Sequence, residues 1–313
     1  MKKSMIIHPD ELSKKWIDRA SDAGIDTIGI HSVGGREASV ALETLVETLK
    51  TKEYRDLIDY AHFRGLRIEY ELHTAGYLLP REMFSDHPDY FRMNESGERV
   101  SDWNFCVSNT EALDLVAKRA AELALSLYGS ESNFYFWMDD RRDSCCCCPE
   151  CRKLSPSDQQ LIVINRMLKE IKKYIPYARM AYLAYMDTIL PPTSVVADGG
   201  VFLEYAPFEK YTAKGENADK LIEREKEMLI PLMRFFDSSP RKVLEYWYDN
   251  SLFSKWKKPP AKFYLDEKQM RVDITEYIEQ GFDYISTFAC FLGKDYEDLY
   301  GEVDISAFSD ILK

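Results

Sequence analysis

Nowhere in the 313 residues does an apolar run approach the roughly 18 that a membrane-spanning helix needs, so no span is expected. Basic residues are the minority, 41 Lys and Arg against 53 Asp and Glu, for a formal net charge of -12. Nucleic acid and anionic membrane surfaces both select clustered Lys and Arg, and this balance argues against either as a partner. The opening MKKSMIIHPDELSKKW carries lysines, but its apolar run is only Met5 to Ile7, too short for a secretory signal. A cytoplasmic location is therefore the expectation. Internal repeats, low-complexity tracts and flexible linkers are missing too, which favours a single domain over residues 1–313. Cysteine is sparse: there are seven, and in a reducing compartment they serve as thiols or metal ligands rather than disulfides. What the chain does have is 45% hydrophobic residues, enough for a large core, with 20 Tyr, 16 Phe and 5 Trp. Such rings line sugar clefts, although most aromatic residues in any protein simply fill the core.

Short apolar strands alternate with amphipathic helices. Residues 4–8, 25–32, 66–73, 133–140, 178–187, 200–208, 242–250 and 282–291 read as strands. Residues 10–23 read as a helix, and a long helical stretch runs to Arg64 and Gly65. Ser155 as N-cap and Pro156 in the first turn open another, with Leu161, Ile164, Leu168, Ile171 and Ile175 as its apolar stripe. Residues 74–110 show no clean helical period, and residues 188–199 (ILPPTSVVADGG) are too short and proline-rich for a helix. Eight strands with intervening helices predict an α/β fold, a (β/α)8 TIM barrel that lacks its fifth helix.

In such barrels chemistry gathers at the C-terminal ends of the strands. Those ends carry His31 on the second strand, Glu69, Glu71 and His73 on the third, and Asp139 and Asp140 on the fourth. The sixth adds Glu204, and the seventh Glu245, Trp247 and Asp249. Alternation puts Glu69, Glu71 and His73 on one face, and Glu245, Trp247 and Asp249 on one face. Burying acids among core residues is costly, so they need a reason. One is an internal ion-pair network with Arg67, Arg141 or Arg179. The other is glycoside hydrolysis, in which one carboxyl protonates the departing oxygen while a second attacks, activates water or steadies the developing cation. Asp140 is the expected general acid, or the group orienting it, with Asp139 beside it and Glu204 or Glu245 as the second group. Trp103, Trp137, Trp247, Tyr248 and Tyr185 offer rings and a hydroxyl to a sugar, and His31, Glu71, His73, Arg141 and Asp249 further polar contacts. Two other functions fit the same residues. A metal-dependent sugar isomerase or epimerase would use Glu71, His73 and Glu204 around a divalent ion. A catalytically silent carbohydrate-binding barrel would have its acids tied up by arginines.

After Asp140 comes a thiol cluster, "SCCCCPEC" (144–151). Cys146, Cys148 and Cys151 form C-x-C-x-x-C, a spacing able to hold one structural zinc, with Cys145, Cys106 or Cys290 as fourth ligand. Free thiols and a strained local disulfide are the alternatives. No organic cofactor is expected.

The segments HPDYFRMNESGERVSDWNFCVSNTEALDLV (87–116), DD…CxCxxC and MAYLAYMDTILPP (180–192) resemble a bacterial barrel domain of unknown function found in polysaccharide-degradation proteins. That domain is grouped with the α-glucuronidase and β-hexosaminidase barrels. The matching positions are His87-Pro88, Gly97, Cys106, Ser108-Asn109, Asp140, Cys146, Cys148, Cys151, Tyr185 and Pro191-Pro192. The resemblance implies a TIM-type barrel that handles carbohydrate, with Asp140 central and Cys106 close to the cysteine motif. Arg141-Arg142 stand where the family tends to have glycine. They are expected either to recognise an acidic or phosphorylated sugar or to neutralise Asp139 and Asp140.

Overall fold

The computed structural model describes residues 1–237 and 240–311. Among them, eight parallel strands close into one barrel in sequence order: β1 (Lys2–Ile7), β2 (Thr27–Ile30), β3 (Arg67–His73), β4 (Asn133–Trp137), β5 (Arg179–Ala184), β6 (Val201–Tyr205), β7 (Arg241–Glu245) and β8 (Tyr284–Phe288). β8 returns to pair with β1, Ser4 opposite Ser286, so no sheet edge is left unpaired. The fold is the expected (β/α)8 barrel. No helix among the described residues is long and apolar enough to cross a membrane.

Alternation along each strand makes two cores. Ile28, Ile68, Leu72, Phe134, Tyr182, Leu203 and Val243 face the surrounding helices. Ile6, Tyr135, Trp137, Leu183, Phe202, Leu244 and Phe288 fill the barrel itself. Each fully buried aliphatic side chain in these layers contributes about 1.5–3 kcal/mol.

The helix Pro156–Ile171 begins as expected: Ser155 accepts from the amide of Asp158, whose carboxylate returns a bond to the Ser155 amide. Between β5 and β6 there is only the 3-10 turn Met186–Thr188. Asp158 replaces the absent helix as an organiser, because its Oδ1 accepts the amides of Thr193, Ser194 and Val195 at 2.8–3.0 Å. The helix expected over 10–23 splits into a 3-10 turn, Pro9–Glu11, and Lys14–Asp22 capped by Ser13. The stretch ending at Arg64 is two helices, Ala38–Thr48 and Lys52–Phe63, because Thr51 stops one and caps the next.

One correction matters for function. β4 ends at Trp137 rather than residue 140, and β7 at Glu245 rather than residue 250. Apolar character continues past the last ladder bond because the loops at the barrel mouth are themselves buried. Asp140 and Asp249 therefore sit on loops.

Candidate active site

A three-carboxylate, one-lysine cluster underlies the mouth of the barrel. Lys242 on β7 is 0% exposed, with its Nζ 2.7 Å from Glu71 of β3 and 3.0 Å from Glu204 of β6. These are buried ion pairs, held by charge in a space closed to solvent. The ammonium also lies 3.9 Å from the centre of the Tyr135 ring. Burial alone would depress the lysine, yet Glu204 and Glu71 hold it charged, above the ordinary lysine range. Burial pushes Glu71 well above the usual carboxylate range, against the pull of Lys242. Glu69 below accepts from Tyr284 and Asn133. Glu204 accepts the Trp137 indole N–H at 2.8 Å, which locks that ring as part of the cleft above.

That cleft, about 490 Å³, opens at the C-terminal ends of the strands. A histidine follows or ends each of the first three strands: His8, His31 and His73. All three turn Nδ1 to a backbone carbonyl: His8 to that of His31 (2.9 Å), His31 to that of Glu71 (2.7 Å), His73 to that of Met138 (2.6 Å). Gly34 allows the approach, since a Cβ there would stand 2.9 Å from the His73 ring. Asp140 faces the cleft and accepts from the Tyr185 hydroxyl at 3.1 Å. Asp249, from the β7 loop, spends Oδ1 on the Ser251 amide and hydroxyl and the Leu252 amide. Burial pushes its carboxyl up, against those donors. Tyr246 faces the same space, its hydroxyl raised well above its ordinary value by burial and by Asp140 and Asp249. Trp137, Phe288, Phe291 and the 64% exposed Trp256 complete the aromatic wall.

The structure thus brings His31, His73, Trp137, Asp140, Tyr185 and Asp249 together and separates the rest. Asp139 turns away to Arg81 at 2.7 Å, and its amide donates to Asn104. Its carboxyl is raised by burial against the pull of Arg81. Glu71 and Glu204 lie in the barrel interior beneath the cleft, not in it. Glu245 points out of the barrel, between Lys210 (2.5 Å), Tyr211 (2.7 Å) and Tyr277 (2.5 Å). Trp247 is also outside, donating to Asp273 at 2.9 Å, and Tyr248 packs on Phe263. Trp103 lies off the cleft with Arg36 and Arg141 over its ring at 6.0 and 5.9 Å. Arg142 pairs with Glu209 and Asp187, so neither arginine neutralises the aspartates as expected. His8, Tyr246, Trp256 and Lys242 were not singled out from the sequence. The recurrence of histidine at SMIIH, IGIH and YELH was a usable signal for His8; nothing marked Lys242.

Beside this region, Cys106, Cys146, Cys148 and Cys151 bring their sulfurs within 4.8 Å of one another. Cys106 Sγ is 3.8 Å from Cys148 and 3.9 Å from Cys151. A tetrahedron of sulfurs at about 2.3 Å from a central zinc has edges of about 3.8 Å, so the set fits one ion. The Met93 amide donates to Cys146 at 3.3 Å, with the Arg99 guanidinium 3.9 Å away. Cys145 lies outside this set, against Asp187 and Ser144, and Cys290 is across the barrel on β8's end, bonded to the Ile6 carbonyl. Of the three candidates for fourth ligand, the geometry selects Cys106.

The barrel fold is shared with solved glycoside hydrolases. The chain itself belongs to the family described as Domain of unknown function (DUF4838), which it matches over residues 39–228. A β-galactosidase from the psychrophilic Marinomonas ef1 superposes with a TM-score of 0.54 at 11% identity, covering 100% of this chain and 58% of that one. Endo-glycoceramidase II from Rhodococcus sp., solved as a lactosyl-enzyme intermediate, gives 0.55 at 9% identity, covering 92% and 73%. The tandem GH20 catalytic modules of a pneumococcal exo-β-D-N-acetylglucosaminidase give 0.53 at 13%, covering 99% and 84%. The chain thus spans little more than half the length of the β-galactosidase, and these likenesses establish the fold. No curated protein matches it in sequence.

Proposed function

We propose that the chain is a glycoside hydrolase whose cleft carboxyls are Asp140 and Asp249. The observation that carries this reading is their placement. Among the described residues they are the two acids lining the 490 Å³ cleft, and neither makes an ion pair with a Lys or Arg. The second group expected on β6 or β7 is accordingly Asp249 rather than Glu204 or Glu245. Roles follow from environment. Asp249 has one oxygen committed to donors and is pushed up by burial, which suits the proton donor to the departing oxygen. Asp140, oriented by Tyr185, is the nucleophile, base or cation stabiliser. The neighbours support a carbohydrate substrate: one is a Bacteroides ovatus GH5 xyloglucanase bound to a heptasaccharide. A metal-dependent isomerase fits less well, because Lys242 occupies the space between Glu71 and Glu204 where the ion would sit.

Screening against aryl glycosides and oligosaccharides, followed by Asp140→Asn and Asp249→Asn, tests the reading. Each amide keeps the volume and loses the proton chemistry, so turnover falls about a hundredfold or more while the fold survives. Asp249→Asn should also remove the alkaline limb of the pH–rate profile. Parent turnover in both variants sinks the assignment.

We further propose one structural zinc at Cys106, Cys146, Cys148 and Cys151. It would supply no chemistry to the reaction; its role would be to fix the loops that carry Asp139 and Asp140.

A further inference from the structure

We propose that the cleft accepts a sugar ring bearing no negative charge and excludes uronate, phosphorylated and sulfated rings. This names the substrate class of the site above and rests on the glycoside reading.

Among the described residues the lining contains no Lys or Arg. Asp140 and Asp249 are its acids, and three imidazoles stand beside them. A carbonyl oxygen cannot donate, so each Nδ1 that faces one carries the hydrogen. At His31 and His73 no hydrogen bond among the described residues engages Nε2, which is a lone pair whenever the ring is neutral. His31 is held neutral, lowered well below the ordinary histidine range by burial and by the neighbouring His73 and His8. Among the described residues, Asp140 and Asp249 each keep Oδ2 free of any hydrogen bond. The wall is therefore built to receive donors. Hydroxyl groups satisfy it, as does the positive charge that develops on a ring during glycoside cleavage; a carboxylate or phosphate on the ring does not.

Several cations near the cleft are already paired with acids of this chain. Arg142 pairs with Glu209 and Asp187, Arg81 with Asp139, and Lys242 with Glu71 and Glu204. Lys258, near Phe291 on the rim, holds Asp295 at 2.8 Å and Asp10 at 3.6 Å. Arg36 and Arg141 lie over Trp103, outside the lining. An anionic ring would meet Asp140, with Asp249 close by and no Lys or Arg among the described lining residues, in a partly closed, low-dielectric space.

The test is calorimetric titration of the intact protein with iminosugars of gluco, galacto and manno configuration, each beside its counterpart with a carboxylate in place of the hydroxymethyl group. We expect the hydroxymethyl form to bind at least about tenfold more tightly, with a gap that narrows at high salt as screening weakens the repulsion. Equal or tighter binding of a carboxylate form overturns the inference and leaves the glycoside reading standing. A gap insensitive to salt also overturns it, since exclusion would then be steric. Binding by neither series removes the glycoside reading, and this inference with it.

Discussion

With Lys242 replaced by Met, Glu71 and Glu204 are left as carboxylates without a counterion in a space closed to solvent. Removing one partner of a buried pair costs about 3–5 kcal/mol, whereas replacing all the partners by neutral groups of similar shape costs far less. We therefore expect Lys242→Met to lose that amount in urea unfolding at neutral pH. Adding Glu71→Gln and Glu204→Gln should recover most of it, since the glutamine carbonyl can still accept the Trp137 indole N–H. A Lys242→Met protein with the parent midpoint would show that the pair does not hold the interior. The acids of this cluster were legible in the sequence as charges in apolar strands, but their counterion was not. Arg67, Arg141 and Arg179 looked equally placed to serve. In the fold Arg67 donates to Thr27, Arg141 covers Trp103 and Arg179 covers Phe202. A lysine in KVLEY resembles a surface lysine until closure brings β3, β6 and β7 around it.

Two loops, after β3 and after β4, meet at the four cysteines. Cys106 belongs to the excursion of residues 74–110 and the other three to the loop after β4, so a shared ion would tie the two together. Polar bonds carry that tie to the acids. Asn104 accepts the Asp139 amide at 2.9 Å and donates to Ser144, while Arg81 bridges the Trp103 carbonyl and Asp139. If zinc holds the cluster, protein purified in reductant contains close to one zinc per chain by elemental analysis. Cys148→Ser or strong chelation then lowers the melting temperature and reduces turnover without changing the pH profile, because the effect on chemistry is one of orientation. Metal-free protein with all seven thiols open to titration refutes the site and leaves the barrel unaffected. The C-x-C-x-x-C spacing made three ligands legible. The fourth was ambiguous among Cys145, Cys106 and Cys290 because spacing along the chain says nothing about which loop folds back.

Across the whole molecule, the eight strands and the missing fifth helix were legible because each strand is a dense apolar run and Pro191-Pro192 forbids a regular helix. Which face of a strand looks inward was not legible when both faces are buried: in RKVLE, Lys242 and Leu244 turned out to face in and Glu245 out. That parity, together with the early end of β7, is why the proposed second acid is Asp249 rather than Glu245. The same dense burial gives the molecule a testable pH response. Burial raises Glu11 to about 7 and Glu225 to about 8, from an ordinary value of 4.5, even though backbone amides donate to both. Glu11 joins the β1 and β8 loops by accepting from His8, Leu292 and Gly293. Glu225 holds the β6 loop by accepting from Phe208 and Glu209. The folded state therefore binds more protons than the unfolded chain between about pH 4.5 and 8, and the sign is fixed: stability falls as pH rises through that window. Their contribution is fully present below the unfolded value and is lost as each carboxyl is forced to ionise in place. Glu225→Gln is the clean probe, because one amide oxygen can accept both backbone donors without ever ionising. Unfolding free energies measured between pH 5 and 8 should decline less steeply for Glu225→Gln than for the parent, by on the order of 1–3 kcal/mol across the range. Parallel curves would mean that Glu225 titrates as an ordinary carboxylate and that the β6 loop is braced by its charge at every pH in the window.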